Sequence, residues 1–126
     1  MGRENLDFAK AAEDTAAGFL KAKGYKILER NYKNKFGEID IIALEGGVTC
    51  FLEVKARRCL KCGAPQEAVT ALKQRQICRV AVNYLKDKNL LTHPARFDVV
   101  ALEYKGNLPE ISLIRDAFEL NPEFTI

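Results

Sequence analysis

Residues 38–57 read EIDIIALEGGVTCFLEVKAR, two runs of β-favouring residues divided by Gly46-Gly47. A glycine pair adopts the positive φ values of a tight two-residue turn, so Glu38 to Glu45 and Val48 to Arg57 predict a hairpin. Such a loop sets the register by placing Glu45 opposite Val48, and each later pair follows from it. Asp40 is thereby expected to face Glu53, and Glu38 to face Lys55, so long as no bulge intervenes. Alternation puts Glu38, Asp40, Ile42, Phe51, Glu53 and Lys55 on one side of the sheet and Ile39, Ile41, Leu52 and Val54 on the other.

Upstream, Phe8, Ala12, Ala16, Phe19 and Leu20 recur at helical spacing, and Gly24 after Lys21 and Lys23 supplies a C-terminal stop. Tyr25 to Tyr32 reads as a strand, and Asn34-Lys35-Phe36-Gly37 as a turn into the hairpin. Downstream, after a break at Gly63-Ala64-Pro65, Val69, Leu72, Ile77, Val80, Ala81, Tyr84 and Leu85 predict a second helix running to about Lys86. Phe97 to Leu102 is an apolar strand, Lys105-Gly106-Asn107 a turn, and Ile111 to Ile114 a shorter strand. The expected fold class is α/β, in the order α-β-β-β-α-β-β. Its mixed central sheet is covered by helices on both sides, because several strands are apolar on both faces. At 126 residues the chain fits a single domain, 1–126.

Two carboxylates opposed in a sheet and flanked by apolar residues repel one another and resist ionisation. A divalent cation resolves that conflict. Mg²⁺ or Mn²⁺ binds through one or two carboxylates plus a substrate phosphate, which suits Asp40 and Glu53. Lys55 beside the metal suits the activation of water or the stabilisation of charge developing on phosphate. The plainer alternative is that Lys55 pairs with Glu38 or Glu53 while Asp40 caps a turn. Glu38 and Gln66 are secondary candidates.

Asp40, twelve residues, then Glu53-Val54-Lys55 resembles the PD-(D/E)xK signature of the restriction-endonuclease-like nucleases, with Ile39 where a proline often stands. That superfamily's three-layer core carries its metal-binding acids on the second and third strands. More closely, Gly37-Glu38-Ile39-Asp40, Phe51-Leu52-Glu53-Val54-Lys55-Ala56-Arg57 and Arg96-Phe97-Asp98-Val99-Val100 resemble the YraN-like bacterial family over nearly the whole chain. The group is similar in turn to archaeal Holliday-junction resolvases, in which an acid of the first helix adds a metal ligand. Glu13 is the matching position, and its neighbours Phe8, Ala12 and Ala16 allow it to point inward. The resemblance implies a metal-dependent nuclease, with branched DNA as a substrate class.

Charge is uneven. Between Lys55 and Arg79 stand Lys55, Arg57, Arg58, Lys61, Lys73, Arg75 and Arg79 against one acid, Glu67. Such a stretch either neutralises a phosphate backbone or forms a solvated helix face. In the first reading Arg57, Arg58, Lys61 and Lys73 touch nucleic acid and recognise structure more than sequence, since phosphate contacts carry no base information. The runner-up is a non-catalytic module that binds nucleic acid or a protein partner on the same fold. A third reading, a thiol redox protein, stands on Cys59 and Cys62. Those cysteines also have the spacing of half a zinc site, for which only Cys50, Cys78 and His93 remain as further ligands. Asp98 alternates with Phe97 and Val99, and an ion pair with Arg96 or a helix-cap role accounts for it without metal.

With 48% apolar and 29% charged residues the composition is that of an ordinary globular chain and not of a disordered tail. No signal-like N-terminus and no apolar run near the roughly 20 residues of a membrane span is found, so the expectation is a cytoplasmic protein whose four cysteines stay reduced. An apolar patch on the second helix or last strand would suit a homodimer.

Overall fold

The computed structural model describes residues 3–58 and 69–119. Helix α1 (Arg3–Ala22) is followed by strands β1 (Lys26–Asn34), β2 (Gly37–Glu45) and β3 (Val48–Arg57), helix α2 (Ala71–Asp87), and strands β4 (Ala95–Lys105) and β5 (Leu108–Phe118). The α-β-β-β-α-β-β order expected from the pattern is the order observed. One five-stranded sheet runs β1-β2-β3-β4-β5. It is mixed, because β3 and β4 are parallel while the other neighbours are antiparallel. The parallel pair needs a crossover, and α2 lies within that connection.

Each face of the sheet buries one helix. On one side Ile39, Ile42, Phe51, Phe97 and Val99 pack with Ile77, Val80, Ala81 and Tyr84 of α2. On the other, Ile41, Ala43, Cys50, Leu52, Val100 and Leu102 pack with Ala12, Ala16, Ala17 and Leu20 of α1. Small residues at the α1 contact let its backbone approach the sheet, whereas Tyr84 fills the α2 side with edge-on contacts to Tyr32 and Phe51. Thr70 caps α2 by accepting a hydrogen bond from the Lys73 N–H, which fixes where that helix begins.

The Gly46-Gly47 turn has φ of 55° and 83°, and the hairpin register is the expected one through five pairs, from Glu45 opposite Val48 to Ile41 opposite Leu52. There the β2–β3 ladder stops, although β3 continues against β4 as far as Arg57. Alternation also fails at this point, and Ile39 packs on the α2 side while Ile41 packs on the α1 side. The sequence pattern placed Ile39 with Ile41; the correction is that backbone alternation is interrupted between them, where the adjacent β1 residue, Asn31, is left-handed (φ 53°). Asn31 falls between the pairs Arg30–Ile41 and Tyr32–Ile39, level with Asp40.

Strand β5 extends beyond the expected Ile114 to Phe118. A second irregularity near Asp116 (φ 53°) carries it past Val99 to pair Phe118 with Phe97. The Gly63-Ala64-Pro65 break lies outside the described residues. No helix among the described residues is long and apolar enough to cross a membrane.

Candidate functional site

The parted ends of β2 and β3 are joined by carboxylates. The Val54 N–H, which a regular ladder would give to a β2 carbonyl, donates instead to Asp40 Oδ2 at 2.9 Å. The Asp40 N–H in turn favours the charged form of the Glu53 carboxylate. Asp40 and Glu53 are therefore brought together as the pattern expected, with side chains taking the place of the last ladder bonds.

Glu53 is only 5% exposed, and its Oε1 meets no hydrogen-bond partner among the described residues. Burial, then the charge of Asp40, pushes its carboxyl up to about 7, while Lys73, Lys55 and the Asp40 N–H pull the other way. Asp40 is likewise raised by burial and by Glu38, against the opposing pull of the Val54 N–H, Lys73 and Lys55. Glu13 of α1 is the third acid. It lines one concavity with Asp40, Val54 and Lys55, and its carboxyl is raised by burial and then by Asp40. Among the described residues no three His, Cys, Asp or Glu side chains lie close enough to form a ready-made metal cage.

Lys73 belongs to this group. Its sequence position, some twenty residues from Glu53 and just after a helix start, marked it as a contact for phosphate, and α2 packs so that it acts on both central carboxylates. Lys55 acts on the same two. Glu38 sits outside, exposed, 3.7 Å from Lys33 Nζ. Arg57 is half-buried and pairs with Glu103 across the parallel strands at 3.4 Å. Arg58 lays its guanidinium over the Phe8 ring, 4.1 Å from the centroid, at the rim of α1. Lys61, Gln66, Cys59 and Cys62 lie outside the described residues.

Cys50 and Cys78 are both buried, in the cores on opposite faces of the sheet, so they cannot complete one zinc site together. Burial pushes the Cys50 thiol up to about 12, the reverse of what a reactive cysteine requires. Asp98, which pairs with Leu52 next to Glu53, proves to be the centre of a separate buried polar network. It accepts from Arg96 Nε (3.0 Å), the Tyr25 hydroxyl (3.1 Å) and the Asp116 N–H (2.9 Å), and Arg96 also reaches Glu45, which Arg115 holds from the other side. With its partners satisfied, Asp98 has no need of a metal.

The profile of the family described as "Uncharacterised protein family UPF0102" matches residues 12–102. The chain belongs to the UPF0102 family. Relatives in that family, the YraN-like group of the sequence resemblance, span almost the same length. A UPF0102 protein of Syntrophus aciditrophicus is 50% identical over 117 residues, covering 93% of this chain and 92% of its own. One from Geotalea uraniireducens is 48% identical over 118 residues (93% of each chain), and one from Rhodococcus jostii 45% over 115 residues (90% and 98%). The UPF0102 match takes in Glu13, Asp40, Glu53, Lys55 and Lys73, and ends at Leu102, in the strand that pairs with β3.

Proposed function

We propose that this UPF0102 protein is a metal-dependent nuclease of the PD-(D/E)xK kind, hydrolysing phosphodiester bonds in DNA with a preference for structure over sequence. The observation that carries the reading is the Glu53 carboxylate: buried, with one oxygen unpartnered among the described residues, beside the half-buried carboxylate of Asp40 and two lysines. A buried polar atom without a partner is costly, and a second carboxylate beside it makes it more so, unless a counter-charge arrives. Hard oxygen donors of this kind fit Mg²⁺ or Mn²⁺. Asp40 and Glu53 would hold the ion, with Glu13 as a further donor from α1. When bound, such an ion lowers the pKa of a water and stabilises charge on a phosphoryl oxygen.

The chain's own groups supply the rest. The Val54 N–H holds the Asp40 carboxylate by one of its two oxygens, Oδ2. Lys55 and Lys73 neutralise the carboxylates before a metal arrives and offer ammonium donors to a phosphate afterwards. Arg58, exposed beside Phe8, is placed to meet a phosphate backbone. Junction or otherwise branched DNA as substrate belongs to the same proposal through the resemblance to resolvases, and a homodimer would let it cut two strands. The test is Mg²⁺- and Mn²⁺-dependent cleavage of labelled single-stranded, duplex, flap and four-way DNA by the wild type and by Glu53→Ala. Metal-dependent cleavage that vanishes in the variant supports the reading; equal background in both overturns it. One observation favours a second reading, a non-catalytic binding module: no three-ligand cluster stands preformed among the described residues. That module would bind DNA in the absence of metal and keep its affinity in Asp40→Ala.

A further inference from the structure

The β1–β2 turn and the outer face of α2 enclose a cleft of about 390 Å³ lined by Lys35, Phe36, Leu72, Arg75, Gln76 and Arg79. The four α2 residues fall three and four apart and so share one helix face. Three of the lining residues, Lys35, Arg75 and Arg79, are cations. Phe36 is 38% exposed, with Lys35 Nζ 5.2 Å from its ring centroid. In the sequence these two residues read only as part of a turn.

The turn is held in place. Asn34 Oδ1 accepts the Phe36 N–H at 2.9 Å, and Asn34 Nδ2 donates to the Val80 carbonyl (3.2 Å) and to Asn83 Oδ1 (3.3 Å) on α2. Gly37, at φ 142°, lets turn and helix close up, since a Cβ there would lie 2.7 Å from Gln76 Nε2. Gln76 also lines an adjoining concavity with Lys33, Asn34, Gly37, Glu38 and Lys73. Lys73 in turn acts on Asp40 and Glu53. A basic path thus leads from the Phe36 ring to the carboxylate pair.

We propose that this path seats a single-stranded nucleic acid: an unpaired base stacks on Phe36, its phosphates meet Lys35, Arg75 and Arg79, and the strand continues past Lys73 to the carboxylates. The destination of the strand rests on the nuclease reading; its seating does not. Selectivity for single strands follows from the exposed ring, because a base in a duplex already has its faces stacked while an unpaired base gains a partner. A preorganised turn keeps that gain from being spent on ordering the loop.

The test uses the full chain in EDTA, so that cleavage plays no part, and fluorescence anisotropy of labelled single-stranded DNA, single-stranded RNA of the same sequence, and duplex DNA. The wild type should bind at least one single strand more tightly than duplex. Phe36→Ala should weaken that binding about tenfold, the loss of one base–aromatic stack, and Phe36→Tyr should restore it. Arg75→Gln and Arg79→Gln should each reduce the salt dependence of single-strand binding by a slope of about 0.7. The two single strands decide whether the ribose 2′-hydroxyl is tolerated, and selectivity for either supports the proposal. Unchanged single-strand affinity in Phe36→Ala, or duplex bound as tightly as both single strands, overturns it. Binding as described without any cleavage in Mg²⁺ would sink the nuclease reading and leave this one standing. Metal-dependent cleavage with binding indifferent to Phe36 would do the reverse.

Discussion

Replacing Glu53 by glutamine should stabilise the metal-free protein above neutral pH, by an amount that follows from its carboxyl being held at about 7 against an ordinary 4.5. Below pH 4.5 the group is protonated in both folded and unfolded chains and contributes nothing. Between 4.5 and about 7 the unfolded chain releases the proton and the folded one retains it, so stability falls as pH rises. Above about 7 the group is ionised in both, and the full penalty is present. At about 1.4 kcal/mol per pH unit across that window, the penalty reaches roughly 3 kcal/mol. Glu53→Gln keeps the shape and removes the ionisation. For a chain of this size, with about 3–5 °C for each kcal/mol, its Tm at pH 8 in EDTA should exceed the wild type's by about 10 °C, with the difference vanishing near pH 4. Thermal unfolding followed by circular dichroism from pH 4 to 8 measures this directly. Adding Mg²⁺ or Mn²⁺ at pH 8 should close the gap by raising the wild type alone, because the ion binds the folded carboxylate pair. A variant less stable than the wild type at pH 8, or a difference that does not change with pH, would refute the reasoning that burial beside Asp40 governs this group.

Two further substitutions examine the frame around the site. Asp98→Ala strips the centre from the Arg96–Tyr25–Glu45 network and leaves a largely buried guanidinium one carboxylate short, so urea unfolding should show a loss of about 3 kcal/mol. Gly37→Ala forces a side chain into a positive-φ position and against Gln76, and should cost about 1–3 kcal/mol; adding Gln76→Ala should recover only the steric part, which a double-mutant cycle separates from the backbone strain.

The order of elements, the two-residue hairpin turn and the register of its first five pairs were legible along the chain. Each depends on local information, namely the glycine pair, period-two alternation and helical spacing. The pairing of Asp40 with Glu53 was legible for the same reason, since a register once set carries forward along both strands. The form of that pairing was not. The ladder ends one pair short of it, because β2 breaks alternation at Asp40, level with the left-handed Asn31 of its neighbour β1; Ile39 packs on the α2 face and the Val54 N–H goes to a carboxylate. Lys73 joins Asp40 and Glu53 only because α2 covers this face, and Asp98 is satisfied only because Tyr25, Arg96 and Asp116 meet around it. Such convergence is set by packing across the sheet. Sequence by itself determined which strands carry the acids; the tertiary structure alone decided how deeply Glu53 is buried and which cations answer it, because desolvation and charge act through space and not along the chain.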